Sequence, residues 1–336
     1  MKSVFRMVAF GEILWDMLPT GKKPGGAPAN FAYHANQLGV STGILSSLGN
    51  DALGEEIQEY LTAHQLSMEL VSHTSEYPTG TVAVHLDENG QPSYEIIQNV
   101  AWDSIPLPES TGPFVSLDAF YFGSLAARSE FNQETLRKLF AVIPQQTIRI
   151  FDLNLRVPFY KKDVIVELLE ESTVFKLNEE ELAILLEMFR EEFSSVPVFD
   201  GITGEKGLVD ATGQAIRTDI LDWLWEFMKR FSLTHLILTC GKFGSFILNV
   251  RDVNPCSCSS CSVSTQRQVS FCPAQPVTVV DTIGAGDSFT AVCACGILKK
   301  WPLDVINRRA NEYAAFICSQ SGAMPHVPAE WIEGWF

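Results

Sequence analysis

The sequence predicts an α/β fold in which helices cover both faces of a mostly parallel sheet. Short apolar runs alternate with amphipathic stretches along nearly the whole chain, and this alternation is typical of βαβ units. No Pro- or Ser-rich linker and no internal repeat divides the 336 residues, so we expect one domain. Hydrophobic residues make up 46% of the chain and charged residues 19%, a balance that supports a large core.

The apolar runs are short enough to be strands, and the amphipathic stretches are long enough to be helices. The predicted strands are residues 5–14, 42–49, 118–125, 146–155, 173–178, 235–241 and 277–280. The predicted helices are residues 51–66, 131–143, 179–189, 220–231, 285–300 and 306–320. The last predicted strand, the run VTVV, is expected to be buried and to lead into the helix at 285.

One region departs from this pattern. Residues 79–97 alternate polar and apolar side chains on both sides of the sequence DENG, which predicts a β-hairpin. A single hairpin is not stable alone, so it must pack against the open side of a site or against a second subunit.

The charge balance excludes some partners. Acidic residues outnumber basic residues by 40 to 24, which gives a formal net charge of −16. Such a surface repels nucleic acids and anionic membranes, so we expect neither as a partner. The N-terminal segment carries Glu12 and Asp16 and lacks the layout of a signal peptide, and no segment is long and apolar enough to span a bilayer. The sequence therefore predicts a cytoplasmic enzyme.

Two groups of cysteines have different interpretations. Four lie in apolar segments and are expected to be buried thiols: Cys240, Cys293, Cys295 and Cys318. Cys256, Cys258 and Cys261 lie in a serine-rich loop and, with Cys272, could ligate zinc or an iron–sulfur cluster. Their spacing and the lack of a nearby histidine favour the alternative, a surface loop with reduced thiols.

The sequence DTIGAGDSFTA, residues 281–291, places glycines at a predicted turn from strand to helix. Such a turn can hold an anion because the first N–H groups of the helix are unpaired, and Gly284 and Gly286 let the backbone approach a phosphate. Asp287 either favours the helix dipole or removes a proton from a hydroxyl that attacks the phosphate. The chain has no P-loop motif, and an aromatic residue stands where a dinucleotide fingerprint requires Gly or Ala.

Two asparagines have both a capping and a functional interpretation. Asn30 follows the pair Gly25 and Gly26, and it either caps an amphipathic helix or hydrogen-bonds sugar hydroxyls with its amide. Asn178 and Glu181 have the Asn-x-x-Glu spacing of a capping box. The spacing alone favours the cap for this second pair.

Taken together, GGAPANFAYHANQLG and DTIGAGDSFTA resemble the two signature motifs of the ribokinase-like carbohydrate kinases, also called the phosphofructokinase-B family. Other segments resemble the family in the same order along the chain: GEILWD, SSLGNDALGEEI, FDLNLRVPFY, KLNEEE and TCGKFGS. The resemblance implies a ribokinase-like three-layer α/β/α fold with a mostly parallel central sheet and a small β-sheet lid. It also implies a single carbohydrate kinase domain over residues 1–336, with lid strands approximately within 12–27 and 77–101.

The resemblance also implies the residues that act on the sugar. Asp287 is then the base that deprotonates a primary hydroxyl of the sugar. The N–H groups that stabilise the transferring phosphoryl group are those of Gly284, Ala285 and Gly286. The implied substrate-binding residues are Asp16, Gly26, Asn30, Arg156 and Asp287. Arg156 has the alternative of pairing only with Asp152 or with a helix end.

ATP and Mg²⁺ are the implied cosubstrate and metal. The residues implied along the nucleotide are Asn178, Thr239, Gly241, Gly244, Gly286 and Asn311. Glu181 is implied to organise the water shell of Mg²⁺, which asks for few protein ligands. A potassium site is implied at Asp281, Ile283 and Gly322, although His326 stands where the family has a serine.

Substrate preference follows from what the chain lacks. No Arg or Lys lies between Tyr94 and Ile105, where kinases of 2-keto-3-deoxygluconate carry the arginine that neutralises their substrate. The pattern therefore most resembles fructokinases, which make fructose 6-phosphate. Ribose, nucleosides and 2-keto-3-deoxygluconate remain alternative substrates, a non-catalytic sugar-binding member remains an alternative function, and Lys22 and Lys23 leave a phosphorylated sugar open. An exposed lid edge implies a homodimer formed through the lid.

Overall fold

The strands and helices follow most of the predicted pattern. The computed structural model describes residues 6–18, 21–86, 92–193, 195–199, 201–203, 207–209, 215–253 and 264–335. The strands are β1 (Met7–Phe10), β2 (Leu14–Leu18), β3 (Gly21–Gly25), β4 (Thr42–Gly49), β5 (Val71–Thr74), β6 (Gly80–Leu86), β7 (Pro92–Ile96), β8 (Ala119–Gly123), β9 (Ile148–Asp152), β10 (Val174–Asn178), β11 (His235–Thr239), β12 (Ser245–Val253) and β13 (Ser264–Cys272). The helices are α1 (Ala27–Gln37), α2 (Ala52–Ala63), α3 (Glu130–Val142), α4 (Lys162–Glu170), α5 (Glu179–Met188), α6 (Thr218–Arg230), α7 (Ala285–Leu298), α8 (Leu303–Cys318) and α9 (Ala329–Ile332).

A nine-stranded sheet forms the central layer, in the order β13-β12-β11-β10-β9-β8-β1-β4-β5. Strand β12 runs antiparallel to β11 and β13, and the other neighbours are parallel. The prediction of a mostly parallel sheet is confirmed. Because the carboxyl ends of parallel strands meet at one edge, loops that follow those strands form the natural place for a ligand.

Helices cover both faces of this sheet, as the apolar strands require. Helices α1, α2, α7, α8 and α9 pack on one face, and α3 to α6 pack on the other. The second face is rich in aromatic side chains, and Phe175 packs between Phe151 and Phe227 with ring centroids 5.5 and 5.8 Å away. Burial of each such side chain stabilises the fold by about 1.5–3 kcal/mol.

A second, smaller sheet joins the strands in the order β3-β2-β6-β7. The sequence predicts one strand over residues 5–14, and this is wrong because the chain turns at Gly11, where φ is +147°. A Cβ atom at Gly11 would lie 2.7 Å from Cγ of Pro28, so a larger residue would not fit. The turn sends Leu14 into the small sheet. The DENG turn of the predicted hairpin lies outside the described residues.

The predicted strand at 277–280 is also wrong. These residues form a loop, and the side chains of Val279 and Val280 are 58% and 63% exposed. The N–H of Val280 donates to the carbonyl of Cys318 at the end of α8, so it joins no strand. The apolar side chains of Val277 and Val279 in this run line the wall of a cavity and are not part of the core.

The cysteines give no sign of a metal centre in the part that the structure describes. Cys240, Cys293 and Cys295 are buried free thiols, as predicted, while Cys318 is half-buried. The three cysteines of the serine-rich loop lie outside the described residues, so their interpretation stays a prediction. Among the described residues, no cluster of metal-binding side chains is present, and no helix combines the length and the apolar character needed to cross a bilayer.

Candidate active site

The glycine-rich turn before α7 forms the centre of the site. Gly284 caps the helix with φ +77°, and a Cβ atom there would lie 2.8 Å from the carbonyl oxygen of Ala323. The N–H of Ala285 donates to the carbonyl of Thr282 at 3.3 Å. Helix geometry leaves the next N–H groups, including that of Gly286, without acceptors inside the helix, so they remain suited to an anion.

Asp287 lies half-buried in the first turn of α7, and its Oδ2 accepts a hydrogen bond of 2.8 Å from Nδ2 of Asn30. Asn30 is not the cap of α1, so the capping interpretation is wrong; Gly26 takes that position with φ +119°. The Oδ1 of Asn30 is buried and accepts no hydrogen bond from the described residues. The amide therefore holds the carboxylate with one atom and presents an unsatisfied acceptor with the other.

The electrostatic surroundings of Asp287 make it a suitable base. Burial and the charge of Asp152 raise its pKa, the hydrogen bond from Asn30 and the charges of Lys176 and Arg156 lower it, and the resulting pKa is about 6. A carboxyl group with a pKa near 6 is ionised at neutral pH and still accepts a proton readily.

Lys176 and Asp152 form a buried ion pair that the sequence analysis missed. Nζ of Lys176 lies 3.0 Å from Oδ1 of Asp152, and Oδ2 of Asp152 accepts a hydrogen bond of 3.1 Å from the hydroxyl of Thr290 on α7. Nζ of Lys176 would lie 3.5 Å from a Cβ atom placed on Gly286, so the ammonium group borders the glycine turn. A lysine inside the apolar strand TVFKLN was the signal that could have identified it.

Glu12 is a second buried acid that the sequence analysis did not assign to the site. Its Oε1 accepts a hydrogen bond of 3.3 Å from the N–H of Ala27, the first residue of α1. Burial raises the pKa of Glu12 to about 7, and the charge of Asp287 contributes to this rise. The signal in the sequence that could have identified Glu12 was an acidic residue within an apolar run.

The other residues implied for the sugar surround the two acids Glu12 and Asp287. Oδ2 of Asp16, on β2, lies 2.8 Å from the position of a Cβ atom on Gly25, and a Cβ atom on Gly26 would lie 2.3 Å from the carbonyl oxygen of Glu12. Burial raises the pKa of Asp16, while the charges of Arg156 and Lys23 lower it. Gly26 is therefore required by close packing against the backbone, whereas a side chain at position 25 would displace the Asp16 carboxylate.

Arg156 is exposed, and its Nη1 donates to the carbonyl of Leu155 at 3.0 Å. The alternative in which it pairs with Asp152 is wrong, because Asp152 pairs with the buried Lys176. The charge of Arg156 lowers the pKa values of Glu12, Asp16 and Asp287, which places its guanidinium group within electrostatic reach of all three.

Two lysines near the glycine pair are engaged by acids. Lys22 pairs with Glu56, and Nζ of Lys23 lies 3.2 Å from Oδ2 of Asp281. Asp281 also accepts hydrogen bonds of 3.1 Å from the N–H groups of Ile283 and Gly322. Burial raises the pKa of Asp281, but these donors and Lys23 outweigh it and hold the pKa below its usual value. The three residues implied for a potassium site are thus brought together.

A cavity of about 760 Å³ opens beside the glycine turn. Every residue implied along the nucleotide lines it: Asn178, Thr239, Gly241, Gly244, Gly286 and Asn311. Gly244 has φ +107°, and a Cβ atom there would lie 2.0 Å from the carbonyl oxygen of Cys272. Apolar side chains, including Val277, Val279 and Phe289, form much of the remaining wall.

Asn178 and Glu181 form the predicted capping box at the start of α5. Oδ1 of Asn178 accepts from the N–H of Glu181 at 2.8 Å, and Oε2 of Glu181 accepts from the N–H of Asn178 at 2.8 Å. Oε1 of Glu181 accepts from the N–H of Leu155, also at 2.8 Å. Each of its carboxylate oxygens thus has a backbone donor, which suits a role through water and not direct metal ligation. Glu179 and Glu180 line the cavity next to it.

Comparisons with known proteins decide the family. The model of the pfkB family carbohydrate kinases matches residues 17–330. The chain belongs to this family. It is similar to the fructokinase of Klebsiella pneumoniae, with 26% identity over 335 residues, 95% of this chain and 94% of the relative.

Solved structures of kinases share the fold of this family member. An uncharacterized sugar kinase from Pyrococcus horikoshii in complex with ATP matches with a TM-score of 0.73 and 23% identity over 97% of this chain and 96% of that chain. Fructokinase from Vibrio cholerae O395, as a double mutant in a fructose, ADP and potassium ion bound form, matches with a TM-score of 0.67 and 20% identity over 99% of both chains. The predicted ribokinase-like three-layer fold is therefore confirmed, and the chain is a sugar kinase.

Proposed function

We propose that this kinase transfers the γ-phosphate of ATP to the primary hydroxyl of D-fructose and produces fructose 6-phosphate and ADP. The fructokinase relative in Klebsiella pneumoniae supports a ketohexose substrate. The observation that carries the proposal is the contact between Asp287 and Asn30, in which a half-buried base lies beside a buried acceptor that still lacks a donor.

The sugar satisfies both groups in this proposal. The primary hydroxyl donates its hydrogen bond to the Asp287 carboxylate, and a second hydroxyl donates to Oδ1 of Asn30. As the hydroxyl oxygen attacks the γ-phosphorus, its proton passes to Asp287, and the bond between the γ-phosphorus and the bridging oxygen breaks to release ADP. Asp16 and Arg156 hold further hydroxyls and orient the ring.

Negative charge that develops on the transferring phosphoryl group is stabilised at the start of α7. In our proposal the N–H groups of Gly284 and Gly286 face this charge together with that of Ala285, which leaves the carbonyl of Thr282 to do so, and the ammonium group of Lys176 borders them. Such preorganised donors are more effective than water because they need no reorganisation during the reaction. Phosphoryl transfer depends mainly on this positioning and charge stabilisation.

ATP with Mg²⁺ is usual for this family. The acids beside the cavity fit an ion held mainly by water and phosphate, since the described residues contain no dense set of ligands. Glu181 would orient the water molecules around Mg²⁺, and Glu179 and Glu180 line the wall of the cavity next to it. When bound, Mg²⁺ supplies charge neutralisation of the phosphates.

A neutral sugar fits this site better than a charged one. Lys22 and Lys23 are paired with Glu56 and Asp281, so neither is available to a sugar phosphate without breaking a pair. The acids Glu12, Asp16 and Asp287 already crowd the acceptor side, and a substrate carboxylate would add to their repulsion. These contacts favour fructose over 2-keto-3-deoxygluconate.

The small sheet acts as a lid over the sugar in this proposal. It carries Asp16 on β2, and its edge strands are β3 and β7. Closure excludes water, which would otherwise accept the phosphoryl group in place of the sugar. We also propose that two chains associate through the lid edges, and light scattering at working concentrations tests this with twice the 37.3 kDa chain mass as the expected result.

A monovalent cation site is the last element of the proposal. The potassium ion in the Vibrio cholerae fructokinase structure and the convergence of Asp281, Ile283 and Gly322 support it. Lys23 already neutralises part of the charge of Asp281. We expect K⁺ to raise the rate above that in Na⁺ at equal ionic strength, and equal rates would contradict this part of the proposal.

A coupled assay of ADP release tests the substrate. The full chain with ATP and Mg²⁺ is offered fructose, mannose, ribose, 2-keto-3-deoxygluconate and adenosine in parallel. The proposal expects the highest kcat/KM with fructose, and a phosphate at the primary hydroxyl in the NMR spectrum of the product. A higher kcat/KM with any other acceptor would overturn the assignment to fructose while leaving the kinase family intact.

A further inference from the structure

The two ends of the β6–β7 hairpin in the small sheet meet at Trp102. This side chain is fully buried, and its Nε1 would lie 2.2 Å from a Cβ atom placed on Gly80, the first residue of β6. The N–H of Ala101 donates to the carbonyl of Pro78 at 2.8 Å, so the segment that enters the hairpin bonds to the segment that leaves it. We call residues 97–103, which follow β7, the return segment. Its contacts help to set how the small sheet stands on the large one.

Arg128, between β8 and α3, binds the return segment with its guanidinium group. Its Nη2 donates to the carbonyl of Ile97 at 2.7 Å and to Oδ2 of Asp103 at 2.8 Å, and its Nε donates to Oδ1 of Asp103 at 2.7 Å. The group also lies over the ring of Trp102, with 4.0 Å between Cζ and the ring centroid. The side chain is only 6% exposed. A lysine could not make these contacts together, because it has a single nitrogen and no planar group.

The same guanidinium group reaches the loop that carries Arg156. Its Cζ lies 4.7 Å from the ring centroid of Phe159, and the N–H of Phe159 donates to the carbonyl of Arg156 at 2.6 Å. The loop lines a cavity of about 340 Å³ together with Gln98 and Ser124. Part of the loop thus lacks close packing, and Arg128 is one of the groups that hold it in place.

We propose that Arg128 is a positioning residue for the acceptor sugar, which holds the loop of Arg156 at a fixed distance from the small sheet. This inference rests on the proposed function, in which Asp16 of the small sheet and Arg156 of the loop hold the same sugar. The two groups lie on separate segments, and Arg128 contacts both the loop and the return segment. Its loss lets the two groups shift apart and weakens sugar binding, although Arg128 itself does not contact the sugar.

Steady-state kinetics of Arg128→Met test the inference, with the acceptor that the wild type uses best, so a wrong assignment of fructose leaves the test unaffected. Methionine keeps an unbranched apolar side chain between the rings but removes all three hydrogen bonds. We expect the KM for the sugar to rise about tenfold, while kcat and the KM for ATP stay within about threefold of the wild type. An unchanged KM for the sugar would overturn the inference.

Arg149, at the amino end of β9, offers a matched control. Like Arg128, it is buried, pairs with an acid, Glu171, and donates to backbone carbonyls, here those of Phe140 and Ile143. Each of the two guanidinium groups has one buried nitrogen that lacks an acceptor among the described residues. Arg149→Met should therefore lower the melting temperature to a similar extent but leave the KM for the sugar close to the wild-type value. A similar rise of this KM in both variants would assign the effect to lost stability and refute a positioning role.

Combination with Arg156→Met shows whether Arg128 acts through that residue. Once the sugar has lost its contact with Arg156, the further substitution Arg128→Met should raise the KM for the sugar by about threefold at most, in place of tenfold. An undiminished tenfold rise would contradict the inference. Failure of the proposed function has a different sign, because Arg156→Met alone would then leave the KM for the sugar unchanged.

Discussion

Asp287 lies beside two buried opposite charges, Lys176 and Asp152, that help to set its pKa. Burial and Asp152 raise the pKa, and Lys176 with the hydrogen bond of Asn30 lowers it, so the balance is about 6. Because the base acts in its ionised form, we expect kcat/KM to fall about tenfold per pH unit below that value. The ion pair of Lys176 and Asp152 thus acts on Asp287 through its charges alone and sets the pH range in which this base is active.

A pair of substitutions tests this electrostatic role. Lys176→Met removes a positive charge and should raise the pKa of Asp287, so the acid limb of the kcat/KM profile moves to higher pH by about one unit. Asp152→Asn removes a negative charge and should move the same limb to lower pH. Initial rates between pH 5 and 8 measure both.

Each variant serves as the control for the other. Both break the same buried ion pair and leave a charge without its partner, so both should lose about 3–5 kcal/mol of stability. Only an electrostatic role gives shifts of opposite sign. Shifts in the same direction, or none in either variant, would show that the pair acts on structure alone.

At the residue scale, the sequence could predict groups whose motif is local. Asp287 and its glycines occur in one continuous stretch, so their roles could be inferred together. Lys176 and Glu12 are recognisable as charged residues in apolar runs, but the sequence could not assign their roles, because those depend on partners elsewhere in the chain, here Asp152 and Ala27. Asn30 illustrates the same limit, since the contact with Asp287 spans 257 positions.

At the scale of elements, α1 connects the sugar side of the site to the segment that supports the glycine turn. Asn30 contacts Asp287, and His34, one turn further along, lies fully buried between Tyr313 and Ala323. Burial lowers the pKa of His34 to about 4, so the ring is neutral. Nε2 therefore donates to the carbonyl of Ala323 at 2.9 Å, and Nδ1 accepts from the hydroxyl of Tyr313 at 3.1 Å.

We expect His34→Leu to lower kcat more than it raises the KM for the sugar. Without the hydrogen bond from His34, Ala323 is free to shift, and Gly284 packs directly against it. Displacement of the glycine turn should lower kcat by about tenfold, because phosphoryl transfer depends on close positioning. Steady-state kinetics with fructose and ATP measure the two constants.

Gln37 on the same helix offers a matched control. It donates to the carbonyl of Pro325 and accepts from the N–H of Val327, just beyond Ala323 in the same segment. Gln37→Met should lower the melting temperature to a similar extent as His34→Leu but leave kcat close to the wild-type value. Equal losses of kcat in the two variants would refute the specific role of His34.

The elements that the sequence predicted wrongly have a common cause. The run VTVV has the composition of a buried strand, but Val277 and Val279 line the cavity in which we propose that the nucleotide binds. Residues 5–14 have the pattern of one strand because the single glycine at position 11 does not interrupt it. Only the close approach of Gly11 to Pro28 shows that the chain must turn there. Local pattern therefore predicts an apolar environment but not which partner provides it.

At the scale of the whole molecule, the site is assembled from residues between Glu12 and Gly322 at one edge of the large sheet. The α/β class and the helix layers follow from the alternation of short apolar runs with amphipathic stretches, and the sequence could predict them. The small sheet could be predicted only in part, because β2 pairs in parallel with β6 across more than sixty residues. The closure on the sugar that we propose for it is a property of the assembled molecule.

Hydrogen exchange tests the proposed closure. Fructose together with a non-hydrolysable ATP analogue should slow amide exchange in β2, β3 and β6, because closure of the lid buries their backbone groups. Exchange in β4 and β5, at the far edge of the large sheet, serves as the internal control and should not change. Protection that is absent from the small sheet would contradict its role as a lid.

The substitution Asp287→Asn tests the central claim most directly. Asparagine keeps an acceptor for Asn30 but cannot take the proton of the sugar hydroxyl, so fructose-dependent ADP release should fall by about 100- to 10,000-fold. Fructose binding, measured by calorimetry on the same preparation, should stay close to that of the wild type. A variant that binds fructose and retains a sizeable fraction of the wild-type rate would contradict the assignment of Asp287 as the base.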